Sequence, residues 1–173
     1  WVDASDGHSH GAGAHGTAAE GGSEQEHVHS RHPHEAVEDT PLAVAQALQA
    51  ALYAGDVGTV EALLDPQVLI LESGGAERSR AEYAAHHMQS DMAFLKDTQY
   101  TVLRQTGDRV GDLAWVASEA RITGGSGDNS FDLMSTETLV LKKTSDGWVI
   151  VHVHWSSRPA ADPSAKPIVE SKE

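Results

Sequence analysis

The chain has 173 residues, no cysteine, and 26 acidic against 12 basic side chains, for a formal net charge of −14. That charge argues against nucleic acid as a partner, because phosphate binding needs a basic surface, and the lack of cysteine excludes disulfides, thiolate metal sites and thiol nucleophiles. No run of about 18 apolar residues is present, so no helical membrane span is expected, and the length suits one ordinary domain with some chain to spare.

Composition shifts sharply near Thr40. Residues 1–40 hold seven of the eleven histidines and are rich in Gly, Ala and Ser, with almost no aliphatic side chains. Such a segment cannot bury enough surface to offset its ordering entropy, so it is expected to be a disordered tail. Its histidines fall in pairs, His8/His10, His27/His29 and His32/His34, with His15 alone. Neutral imidazole is a good ligand for zinc, copper and nickel, and a flexible chain can wrap such an ion. The tail is similar to His-rich segments of bacterial metal-handling proteins, most of them exported. The chain opens at Trp1 without a Met, as a processed or trimmed product would. A periplasmic or secreted protein with a metal-collecting tail is the expectation.

Thr40-Pro41 supplies a cap residue and a first-turn proline, and Leu42, Ala45, Leu48, Leu52 and Tyr53 recur at helical spacing. Gly55-Asp56 ends that helix and opens a short one, Val57 to Leu64, which Asp65-Pro66 terminates. Gln67–Glu72 reads as a strand, Ser73-Gly74-Gly75 as a loop and Ser79–Leu95 as a third helix. Strands are then predicted at Gln99–Gln105, Leu113–Thr123, Phe131–Lys143 and Trp148–Ser156, in antiparallel succession. Past Pro159 the chain turns polar and is expected to fray. The domain therefore spans 41–158, with 159–173 a flexible tail. Helices followed by a strand meander give an α+β layout, with helices on one face of a curved, cone-shaped antiparallel sheet. A cone of this kind makes a ligand pocket.

Two stretches place histidine and acid in that pocket. In the last strand, simple alternation puts Trp148, Ile150, His152 and His154 on one face and Val149, Val151, Val153 and Trp155 on the other, both of them apolar enough to be covered. On the third helix, Ala81, Ala84, Ala85, Met88, Met92 and Leu95 form an apolar arc that Tyr83 and Phe94 widen. His87 and Asp91, four residues apart, fall inside the widened arc and should lie close together, partly buried.

The stretch AQALQAALYAGDVGTVEALLDPQVLILESGG resembles the opening of the nuclear transport factor 2-like superfamily. Residues 135–160, STETLVLKKTSDGWVIVHVHWSSRPA, are similar to the end of the calcium/calmodulin-dependent protein kinase II association domain. The likeness lies in the Ser-x-Glu-Thr start, the Asp-Gly turn, the Trp and the Val-His-x-His. It implies the cone fold, a pocket and self-association through the sheet, with a homodimer expected. No kinase domain is present, so a hub role does not carry over. The superfamily also holds SnoaL-like polyketide cyclases and ketosteroid isomerases, so the fold alone names no activity.

Three chemistries are open. The first is binding of copper or zinc by His87, His152 and His154, with Asp91 or Glu72 as an oxygen ligand or orienting acceptor, and Met88 or Met92 as a copper ligand. The second is acid–base catalysis on a carbonyl compound by His87 and Asp91. The third is small-ligand binding around Trp115, Glu119, Arg121 and Glu137; the resemblance places Arg121 at a pocket arginine, which would meet a carboxylate ligand or an internal acid such as Glu137. The favoured expectation is an exported binder of a transition metal or small ligand. The rivals are a SnoaL-like or isomerase-like enzyme and a structural oligomerisation module.

Overall fold

The computed structural model describes residues 39–160. The tail histidines His8, His10, His27, His29, His32 and His34 lie outside the described residues.

Helix α1 (Pro41–Ala54) starts where expected: the Thr40 hydroxyl accepts from Ala43 N at 3.1 Å, Pro41 fills the first turn, and Gly55 closes the helix in the left-handed region at φ 70°. Helix α2 (Val57–Leu63) is capped by the Asp56 carboxylate, which accepts from Thr59 N at 3.1 Å. The chain then enters strand β1 (Leu64–Glu72) directly, so Asp65-Pro66 sits within the strand instead of before it, in the irregular stretch between the Leu64 and Leu69 pairings. A short strand, β2 (Gly75–Glu77), occupies what reads in the sequence as loop.

The third predicted helix is two helices. Helix α3 (Arg80–Ala85) is capped by Ser79, whose hydroxyl accepts from Glu82 N at 3.1 Å, and helix α4 (Met88–Lys96) begins after a break at His86-His87. Strands β3 (Thr98–Val110), β4 (Leu113–Gly124), β5 (Phe131–Thr144) and β6 (Gly147–Pro159) follow, each longer than the sequence pattern indicates, because the hairpin ladders run out almost to the turns. A single 3₁₀ turn, Gly127–Asn129, links β4 to β5.

The six strands form one curled, unclosed sheet in the order β2-β1-β6-β5-β4-β3. All neighbours are antiparallel except β1 and β6, which pair parallel with Ile70 opposite Val153 and Glu72 opposite Trp155. That crossover closes the helices over one face. The inner face carries Val68, Ile70, Val116, Leu139, Leu141, Ile150 and Val153, which pack on Val44, Leu48 and Leu52 of α1 and on Met88, Met92 and Leu95 of α4 in one core. Among the described residues no element covers the outer face, where Leu69, Leu113 and Trp115 are exposed. Among the described residues no helix is long and apolar enough to cross a membrane.

One irregularity changes the meaning of the last strand. In the β5–β6 ladder Val140 pairs with His152 but Leu141 pairs with Ile150, so Val151 is an extra residue. A bulge of one residue exchanges the two faces of everything beyond it. Trp148 and Ile150 face inward before the bulge, and Val153 and Trp155 face inward after it. His152 and His154 therefore leave the inner face on which simple alternation places them. His154 is exposed, and His152 is half-buried with Nδ1 at 2.8 Å from the Leu69 carbonyl oxygen.

Candidate functional site

The acidic side chains that alternation and register turn inward gather at one end of the curl. Asp91, on α4, is 6% exposed and its Oδ2 accepts a 2.9 Å hydrogen bond from the buried Tyr83 hydroxyl. These residues are eight apart, which is about 12 Å along an unbroken helix. They meet because the chain turns at His86-His87. Burial, then repulsion from Glu72, pushes the Asp91 carboxyl up to about 7. Burial and the neighbouring Asp91 raise Tyr83 far above its ordinary value, so its hydroxyl stays protonated.

Beside this pair, buried Glu77 of β2 bonds His87 through Nδ1. His87 is itself exposed, and its hydrogen bond to Glu77 raises its pKa above the ordinary imidazole value. Burial also raises Glu72, at the end of β1.

A polar row crosses the inner face from here. Glu72, Trp155, Glu137, Ser118 and Gln105 are successive cross-strand partners on β1, β6, β5, β4 and β3. Trp155 Nε1 donates to Glu137 Oε2 at 2.7 Å, the Ser118 hydroxyl also donates to Glu137, and Gln105 Nε2 donates to Ser118 Oγ at 3.0 Å. From α1, Gln46 Nε2 donates to Gln105 Oε1 at 3.2 Å. Burial raises the Glu137 carboxyl. The Tyr83 and Trp155 rings stand 6.1 Å apart, joining the Asp91 pair to this row.

The expected residues divide between the two faces. Asp91, Glu72 and Glu137 belong to the inner face. His87 lies near them but at the surface, bonded to Glu77, not set against Asp91 as a continuous helix would place it. His152 and His154 point to the outer side of the sheet, so the structure does not bring them together with His87. Among the described residues no group of three or more His, Asp or Glu could hold a metal ion. Met88 and Met92 are core. Trp115, Glu119 and Arg121 are all on the exposed face of β4, where Arg121 grips Asp132 of β5 through Nε and Nη2, with Nε at 2.8 Å. Arg121 therefore meets neither Glu137 nor a ligand inside the curl.

Tyr83 and Glu77 are missing from the sequence-derived set. Tyr83 was visible as part of the apolar arc, but only the helix break turns its hydroxyl into a partner of Asp91. Glu77 lies in a segment whose strand character no periodicity reveals, since β2 is three residues long. A groove of about 700 Å3 at the β5–β6 turn is lined by Asp39, Pro66, Arg80, Lys143 and Trp148, among others, and none of the expected site residues lines it.

Residues 42–161 match the SnoaL-like domain. No protein of curated function matches the chain significantly. Among solved structures, a candidate ketosteroid isomerase from Shewanella frigidimarina NCIMB 400 is similar at 43% identity and a TM-score of 0.63, over 65% of this chain and 91% of that one. A candidate dehydratase of the NTF2-like family from Streptomyces avermitilis has 21% identity and a TM-score of 0.55, over 73% and 96% of the two chains. The CaMKII hub of S. rosetta has 23% identity and a TM-score of 0.58, over 68% and 93%. At those identities the last two show a shared fold only.

Proposed function

The chain belongs to the SnoaL-like domain family, and from that premise we propose that it is an acid–base enzyme that moves a proton on a carbonyl compound held between the curled sheet and its helices. The observation that carries this reading is Asp91: a carboxyl that is 6% exposed, held by the Tyr83 hydroxyl at 2.9 Å and pushed up to about 7. A group that titrates near neutrality is matched to both halves of a proton transfer. As carboxylate, Asp91 takes the proton from the carbon next to the carbonyl, forming its own O–H while the C–H electron pair moves into the enolate. As carboxylic acid, it returns that proton to the same or a conjugated carbon. Tyr83 fixes the orientation of Asp91 by donating to one oxygen, leaving the other for the substrate. The likeness to the Shewanella candidate isomerase supports the reaction class.

The metal-binding reading has less to draw on inside the domain, because its three imidazoles do not converge. Self-association belongs to the same proposal. The outer sheet face exposes Leu69, Leu113 and Trp115, and the hub domain with this fold is named for an assembly role.

The test is exchange of α-protons of a simple ketone in deuterated water, followed by NMR, together with isomerisation of a β,γ-unsaturated ketone. The rate should rise with pH to a plateau above about 7, following deprotonation of Asp91. Asp91→Asn should lower it by about a hundredfold or more. A rate that is flat from acid to alkaline pH, or unchanged in Asp91→Asn, would remove Asp91 as the base.

A further inference from the structure

The bulge at Val151 leaves two imidazoles together on the outer face of β6. His152 and His154 are alternate residues of one strand, about 7 Å apart along it. Their rings are held differently. His152 is half-buried, and its Nδ1 lies 2.8 Å from the Leu69 carbonyl oxygen of β1. A carbonyl only accepts, so Nδ1 carries the proton and donates it. In the neutral ring the lone pair is then on Nε2, on the side of the imidazole away from that carbonyl. His154 is exposed, and its ring has no hydrogen-bond partner among the described residues.

An imidazole whose tautomer is fixed by a backbone carbonyl is prepared as a metal ligand, because that bond orients the ring and raises the basicity of its other nitrogen. Imidazoles on alternate residues of a strand stand side by side, within reach of one ion at about 2.0–2.1 Å from each nitrogen. The exposed His154 ring is free to turn to that ion. Across the sheet, His152 lies between Leu69 and Val140, and His154 between Leu71 and Thr138. None of these four is charged, so none repels a metal ion. Arg158, the basic residue of β6, is four positions past His154, about 13 Å along the strand. The net charge of −14 on the chain draws cations toward it.

We propose that His152 and His154 form a binding site for a divalent transition-metal ion on the outer face of the sheet. His152 ligates through Nε2 and keeps its bond to Leu69, and His154 swings onto the same ion. Imidazole nitrogen suits zinc, copper and nickel. Two protein nitrogens leave the other positions of a tetrahedral ion to water or to a donor from whatever packs on this face. The site lies across the sheet from the interior acids, uses neither His87 nor Asp91, and stands independently of the acid–base reading.

The experiment is titration of the full chain, isotope-labelled at histidine, with zinc chloride, followed by NMR of the imidazole nitrogens. The chain has other histidines, so each ring is read by itself. Nε2 of His152 and one nitrogen of His154 should shift over the same range of zinc concentration, while Nδ1 of His152 keeps the signature of a protonated donor. Shifts at neither ring, at one of the two alone, or of the ligating kind at Nδ1 of His152 overturn the proposal. The melting temperature supplies a second reading. Zinc held by the folded strand should raise it by about 3 °C when the ion is about tenfold above its dissociation constant. His154→Ala, a change at an exposed position, should keep the zinc-free melting temperature and lose most of that rise. An equal rise in His154→Ala would place the stabilising ion elsewhere and sink the assignment.

Discussion

At the scale of single residues, the cost of the site is visible in its acids. Asp91 has a folded pKa of about 7 against an ordinary aspartate value near 4, so the folded chain binds more protons than the unfolded chain between those limits. Stability from this group is therefore full below about pH 4 and is lost as pH rises through 7, a penalty on the order of 4 kcal/mol at alkaline pH. His87, raised by its bond to Glu77, acts in the same direction, since its pairing is lost as it deprotonates. Denaturant titrations at pH 5 and pH 8 should show the wild type losing stability on going to pH 8, and Asp91→Asn should remove most of that difference. Equal pH dependence in the two proteins would mean that Asp91 ionises as freely folded as unfolded. The burial of Asp91 is legible in the sequence from its place in the apolar arc. Its partner is not: four-residue spacing points to His87, while the residue that bonds it is Tyr83, eight positions away across a break that no Pro or Gly announces.

At the scale of elements, the helices and strands follow from local chemistry and the faces do not always. Thr40-Pro41, Gly55 and Asp56 fix the first two helices because each cap is a local hydrogen bond or a local backbone preference. The four long strands show as β-branched runs between turn residues. What local pattern cannot show is a bulge, because the extra residue is defined by the partner strand. In β6 that residue is Val151, and its presence sends His152 and His154 outward while Val153 and Trp155 enter the core. Deleting Val151 sets His152 directly after Ile150, and strict alternation then keeps Val153 and Trp155 inward and His152 and His154 outward. The buried anchors and the Trp155–Glu137 bond are retained. The deletion variant should therefore keep a cooperative thermal transition by circular dichroism. Loss of the transition would mean that the fold needs the bulge itself and not only the faces it sets. The same reasoning explains why Arg121 is misplaced by analogy and correctly placed by alternation: on β4, with no bulge between β4 and β5, odd-numbered residues are outside from Leu113 to Arg121.

At the scale of the whole molecule, the sheet has one face covered by helices and one without cover among the described residues. Cross-strand register sets Leu69, His152, Val140 and Trp115 in one line across that outer face, with Leu113 next to Trp115 along β4. Trp115 is 41% exposed and Leu113 53%. A large aromatic and two leucines left on one open face mark a contact surface more often than a free one. A two-fold axis through such a face would set each line against its copy, so that one substitution acts twice per dimer. A second copy is the occupant to test, because a two-fold contact needs only the patch already present. The charge sets a condition: with a net −14 on each chain, association should strengthen as salt screens the repulsion, the reverse of an interface held by ion pairs. Sedimentation velocity at micromolar concentration should therefore find a dimer whose population grows between low and physiological salt. Trp115→Glu should yield a folded monomer, since the substitution removes apolar area and places two new carboxylates near each other across the axis. The melting temperature of the wild type should rise with protein concentration and that of Trp115→Glu should not. A wild type that sediments as a monomer at every salt concentration would leave the outer face to another partner, and a Trp115→Glu protein that remains dimeric would move the interface away from β4.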